Sequence, residues 1–144
     1  MRFVVDTSAL VAIVNEEPEA ERFHRLLLEE EPVISCGTLI ETLRVMQVGL
    51  GAPALVEIDR LLALYGVEPV PVDPAQVDVA RAGMLAYGKG RATAPAALNF
   101  GDLFAYALAK QLGLPLLFKG DDFAKTDIRA VNWAAAATAA RSAR

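Results

Sequence analysis

Acidic residues stand at the margins of the most apolar segments of this 144-residue chain. Asp6 follows RFVV, Glu41 lies within TLIETLRVM, Asp102 opens DLFAYALAKQL, and Asp121 and Asp122 follow LPLLFKG. Each has an ordinary structural use. Asp6 can cap a helix, and Asp102 suits the positive end of a helix dipole. Asp121 and Asp122 fit a turn before Phe123, and Glu41 can pair with Arg44 three residues on. Glu41 is the hardest to absorb this way. Its neighbours Leu39, Ile40, Leu43, Val45 and Met46 are expected to be buried, and a half-buried carboxylate needs a cation.

Taken together these acids are an oxygen-only donor set. The single cysteine, Cys36, rules out an internal disulfide and gives no thiolate cluster. The single histidine, His24, falls on an acidic helix where a surface position is expected. Oxygen ligation selects Mg²⁺ or Mn²⁺ over zinc. Such ions bridge phosphate oxygens and make bound water more acidic, so the matching chemistry is phosphodiester hydrolysis.

The elements that must position these side chains can be read along the chain. Residues 2–5 form a short apolar run ending at Asp6, as a buried strand does. Asp6, Thr7 and Ser8 can each cap a helix over residues 9–14. A second helix starts at Pro18, with Phe23, Leu26 and Leu27 at helical spacing, and Pro32 stops it before a strand over 33–35. Residues 38–48 read as helix, closed by Gly49-Leu50-Gly51. Another helix runs from Pro53 to about Tyr65, with Val56, Leu61, Leu62 and Leu64 as its apolar set. Residues 67–72 are strand-like, but Pro69 and Pro71 demote them to a sheet edge. Asp73-Pro74 starts a helix toward Tyr87, and residues 88–95 (GKGRATAP) are the clearest loop. Asn99 then caps a helix through Leu112, Gly113 ends it, and residues 114–118 are a fourth strand. Strands alternating with helices predict an α/β sandwich with a mostly parallel sheet. In such sheets function gathers beyond the carboxyl ends of the strands, where Asp6, Asp121 and Asp122 fall.

Length and composition favour a single domain over 1–144, with 134–144 as a frayed helix or disordered tail. At 54% hydrophobic the chain excludes disorder. No run approaches the ~18 uncharged apolar residues of a membrane span, and Asp6 comes too early for a signal peptide. A cytoplasmic protein with no membrane partner is expected. The net charge of −4 argues against broad non-specific phosphate contact. Glu16, Glu17, Glu19, Glu21, Glu29, Glu30 and Glu31 concentrate that charge on one early helix, leaving Lys89, Arg91, Lys119, Lys125 and Arg129 for a local basic rim.

Three stretches in order, VVDTSALVAI, TLIETLRVM and LNFGDLFAYALAKQLGLPLLFKGDDFAKTDI, together resemble the PIN-domain ribonucleases. More narrowly they resemble the VapC toxins of type II toxin–antitoxin modules. The third stretch is the most specific, and the resemblance covers almost the whole chain. It implies a PIN-like three-layer sandwich and a metal-dependent endoribonuclease with a four-acid site for Mg²⁺ or Mn²⁺. Asp6 and Asp102 match the metal-ligating aspartates, Glu41 the mid-helix glutamate, and Ser8 a hydroxyl that orients the site. Many relatives place the fourth acid three residues before the phenylalanine of the last loop, where this chain has Gly120. Asp121 or Asp122 must then serve, with Asp121 preferred and Asp122 supporting. The resemblance also implies RNA as substrate, with Lys89, Arg91 and Lys119 as rim candidates, a homodimer, and silencing by a VapB-type antitoxin.

Two other phosphoryl-chemistry readings fail on particular positions. A haloacid dehalogenase-type phosphotransferase expects a second aspartate where Ser8 stands. A receiver domain needs its acceptor on a later strand and a lysine on the last. The alternative that survives is a non-catalytic PIN-like module that only binds a protein or RNA partner.

Overall fold

Phe3, Val4 and Val5 are all fully buried in β1 (Arg2–Val5), which is what a strand covered on both faces requires. In this computed structural model, which describes residues 1–90 and 98–134, β1 pairs with β2 (Glu31–Ser35) and β4 (Leu116–Leu117). β2 pairs in turn with β3 (Glu68–Val70), giving a parallel four-stranded sheet of order β3-β2-β1-β4. The helices are α1 (Thr7–Val14), α2 (Ala20–Glu29), α3 (Cys36–Leu50), α4 (Pro53–Tyr65), α5 (Pro74–Tyr87) and α6 (Asp102–Leu112).

Alternation along the strands divides the core in two. Phe3, Val5, Ile34 and Leu117 pack with Leu10, Phe23, Leu27, Met46 and Ile58 from α1 to α4. Val4, Val33 and Leu116 turn the other way, onto Leu98, Ala105, Leu108 and Phe123. α5 packs on the outside of α6. The result is the expected three-layer α/β sandwich, with a wholly parallel sheet between helices.

Several boundaries move for identifiable reasons. Pro32 both ends α2 and belongs to β2, where it stands in register with Phe3. β3 is the expected proline-bearing edge. β4 has two residues rather than five, and its outer side is closed by a single bridge to Ala130, with Leu116 N–H on Arg129 O at 2.9 Å and Val131 N–H on Leu116 O at 3.0 Å. A one-residue bridge leaves no periodic pattern to read. In α4 the buried residues are Ala54, Ile58, Leu61 and Tyr65, a stripe at spacings of four and three. Val56 and Leu64, expected in that stripe, lie off it and are 71% and 51% exposed. Ile40 and Val45, expected to be buried beside Glu41, likewise face solvent. His24 is half-buried rather than free, its Nδ1 2.6 Å from the Tyr65 hydroxyl. Gly113 ends α6 in the left-handed conformation (φ 64°). Among the described residues no helix is long and apolar enough to cross a membrane.

Candidate active site

Asp6 leaves the carboxyl end of β1 with its backbone N–H on Leu117 O, 3.0 Å away in β4. Its side chain caps α1: Oδ2 accepts the Ser8 backbone N–H at 3.0 Å and the Ser8 hydroxyl at 2.7 Å. The same Ser8 Oγ accepts the Lys119 backbone N–H at 2.9 Å, which ties the segment after β4 to the start of α1. The other oxygen, Asp6 Oδ1, is buried and has no hydrogen-bond partner among the described residues. An orphaned carboxylate oxygen in a chain that otherwise pairs most of its buried polar atoms marks a place for something else.

Asp102 repeats the arrangement at α6. Asn99 Oδ1 accepts the Asp102 backbone N–H at 3.0 Å, and Asp102 Oδ2 accepts the Asn99 backbone N–H at 3.0 Å, the reciprocal pattern of a capping box. Asp102 is 6% exposed, and its Oδ1 takes no hydrogen bond among the described residues. Capping and a role in a site are therefore compatible in one carboxylate, because each use needs a different oxygen.

Glu41 reaches the same place from α3. Its Oε1 accepts the Thr7 hydroxyl at 2.5 Å, and its Oε2 lies where a Cβ on Gly101 would be, 1.3 Å from that position. The pairing with Arg44 allowed by their spacing is not made; Arg44 donates to Gln47 Oε1 at 3.3 Å instead. In the sequence Thr7 and Gly101 are legible only as a cap and a helix flank. A small residue directly before an acid is the available signal.

Electrostatics follow from burying these groups beside one another. Burial pushes the Asp6 carboxyl up to about 6, with the Glu41 charge adding to it and the Ser8 hydrogen bonds opposing. Burial pushes Asp102 up to about 7, opposed by the Asn99 N–H and reinforced by the charges of Asp6, Asp122 and Glu41. Asp121 and Asp122 are both exposed on the turn after β4. Of the two, Asp122 is the one whose charge acts on Asp102, although the sequence alone favours Asp121.

The basic candidates separate. Lys119 Nζ is held between Glu17 Oε1 at 3.0 Å and Glu19 Oε2 at 3.1 Å. Lys89 is exposed, its backbone bridged to Leu98. Arg91 lies outside the described residues, as do 135–144 of the expected tail.

Among the described residues no three His, Cys, Asp or Glu side chains form a group that would enclose a metal ion. Mg²⁺ does not require such a cage: it keeps several waters and takes one or two carboxylates. The free oxygens of Asp6 and Asp102, one of them a buried acceptor without a partner, fit that requirement.

Comparison with known proteins agrees with this geometry. The PIN domain family profile matches residues 3–129. A VapC ribonuclease of Mycobacterium bovis is 46% identical over 129 residues, 89% of this chain and 97% of that protein. Among solved structures, VapC20 of Mycobacterium tuberculosis, a sarcin-ricin loop cleaving toxin, superposes with a TM-score of 0.72 at 19% identity, covering 90% of this chain and 98% of that one. DNA-bound VapBC from Salmonella typhimurium gives 0.66 at 20% identity, covering 92% and 98%.

Proposed function

The chain belongs to the PIN domain family, and from that premise we propose that it is a Mg²⁺- or Mn²⁺-dependent endoribonuclease, the toxin of a type II toxin–antitoxin module. The observation that carries this reading is the unpartnered Asp6 Oδ1, buried beside other acids, with the Asp6 and Asp102 carboxyls both raised by burial and by neighbouring negative charge. Asp6 and Asp102 would hold the ion, which when bound supplies positive charge for the phosphate and a more acidic water for attack.

The protein's own residues do the rest. Ser8 and Asn99 fix the capping oxygens and so aim the free ones. Glu41 presents a carboxylate able to orient a water and hold its proton. Asp122, rather than Asp121, is assigned as the fourth acid on the strength of its action on Asp102. The unneutralised cluster repels phosphate, so RNA binding is coupled to cation binding. Lys89 and Arg91 remain rim candidates. Lys119, engaged by two glutamates, is assigned to holding the segment after β4.

A single PIN domain acting in the cytoplasm accounts for the chain. A VapB-type antitoxin is its proposed partner, supported by relatives solved as VapBC assemblies. Two exposed apolar sets are available: Ile40, Val48 and Val56 on α3 and α4, and Met84, Leu85 and Phe100 on and beyond α5. The proposal gives the set on α3 and α4 to a second copy of the chain and the other to the antitoxin. Light scattering at micromolar concentration should return twice the monomer mass.

The test of the activity is incubation of purified protein with total RNA in Mn²⁺ or in EDTA, followed by sequencing of the new ends. Recurrent ends with Mn²⁺ alone are expected. Binding without cleavage would leave the interaction-module reading in its place.

A further inference from the structure

Glu41 stands on α3, whereas Asp6 ends β1 and Asp102 opens α6, so a flexible side chain has to be held across a gap between elements. Two contacts do this. On one side the Thr7 hydroxyl meets Glu41 Oε1 at 2.5 Å. Thr42 Oγ1, 3.0 Å from Thr7 Oγ1, donates to Thr38 O at 2.9 Å, and of the acceptors around the Thr7 hydroxyl Glu41 Oε1 is the nearest, Thr38 O lying 3.4 Å away. Thr7, Thr38 and Thr42 are buried, so water does not compete for that proton.

On the other side is Gly101. Its backbone is ordinary right-handed helix (φ −63°, ψ −38°), a conformation any residue adopts, so glycine is not required there for its freedom. What it provides is room. A Cβ at this position would lie 1.3 Å from Glu41 Oε2 and 2.3 Å from its Cδ.

We propose that Thr7 and Gly101 are a pair of positioning residues: Thr7 fixes one oxygen of Glu41, Gly101 leaves the slot for the other, and together they set that carboxylate beside Asp102. The inference rests on the nuclease reading and adds to it two residues that carry no charge and touch no substrate. A purely structural role for Gly101 would follow from a strained backbone or a clash with rigid atoms; neither exists, because the colliding atoms are the far end of a movable side chain.

Gly101→Ala is therefore expected to displace Glu41 and leave the fold intact. Its melting temperature should match wild type, while kcat falls about tenfold or more with KM little changed, and Mn²⁺ binds about tenfold more weakly. Thr7→Val should behave alike, and Thr7→Ser, which keeps the hydroxyl, should restore both readouts. In a Glu41→Ala background Gly101→Ala should add nothing, since it acts through Glu41. Wild-type Mn²⁺ affinity and kcat in Gly101→Ala, or an undiminished effect in the Glu41→Ala background, would overturn the inference while leaving the nuclease reading standing. A wild type that neither binds Mn²⁺ nor cleaves RNA would remove both.

Discussion

The two ends of α6 each bring an aspartate against the helix, and the chain treats them oppositely. At the far end Asp127, exposed where Asp102 is buried, takes the Lys110 ammonium at 2.7 Å and the Tyr106 hydroxyl at 2.9 Å, which outweigh its partial desolvation and hold its carboxyl below the usual range. At the near end Asp102 meets Asp6, Asp122 and Glu41 and, among the described residues, no cation, and is pushed up to about 7, chiefly by burial. A chain that supplies a lysine for Asp127, and pairs Glu57 with Arg60 and Glu17 with Lys119, has the means to neutralise carboxylates. Leaving one cluster unneutralised destabilises the fold, and the cluster coincides with the site proposed to take a cation from solution.

The largest expected effect is at the near end. Asp102→Asn keeps the shape of the side chain and its place at the start of α6, so the helix-dipole loss of about 0.3–1 kcal/mol is small and is offset in the metal-free protein by removal of a buried charge. Loss of a ligating oxygen charge should reduce Mn²⁺-dependent cleavage by about 10²–10³-fold. A mutant cleaving at near wild-type rate would make Asp102 a cap and nothing more.

Next is the pH dependence of the metal-free protein. The carboxyls of Asp6 and Asp102 titrate at about 6 and about 7 when folded, against a reference of 3.8. Between those values the folded state holds more protons than the unfolded one, so their contribution to stability is full below about pH 4 and is lost as pH rises through 6 to 7. Each proton that the folded state holds in excess is worth about 1.4 kcal/mol per pH step, so the loss amounts to a few kcal/mol. Denaturant melts at pH 5 and pH 8 in EDTA should show it. Mn²⁺, which binds the ionised forms, should recover stability at pH 8. A metal-free protein equally stable at both values would contradict the raised carboxyls of Asp6 and Asp102.

Two smaller effects sharpen the comparison. Asp122→Asn should slow cleavage more than Asp121→Asn, because only Asp122 acts on Asp102; the reverse ranking in a steady-state assay would return the fourth-acid role to Asp121. Asp127→Asn should leave cleavage unchanged and cost about 0.2–1 kcal/mol, less at high salt, since the Lys110 pair is largely solvent-exposed.

How far the sequence discloses this arrangement differs between fold and site. Alternation of strand and helix, the edge prolines and the helix caps carry the fold, since each is a local signal. The stripe of α4 is misread because Val56 and Leu64 are apolar without lying on the buried face. In the site, Asp6, Glu41 and Asp102 can be named as types at element ends or within a helix. That capping and free oxygens are divided within one carboxylate cannot be read, because it depends on side-chain direction. Neither can the roles of Thr7 and Gly101, which follow from α3 and α6 approaching each other across a long stretch of intervening chain. The choice between Asp121 and Asp122 turns on the orientation of a loop.

The central claim is that the unneutralised end of α6 is completed by one divalent cation between Asp6 and Asp102. Mn²⁺ titration by calorimetry, run at pH 8 on wild type, Asp102→Asn and Asp127→Asn, tests it most directly. Saturable binding is expected in wild type and in Asp127→Asn, with binding weakened at least about tenfold in Asp102→Asn. Equal affinity in all three proteins would contradict it.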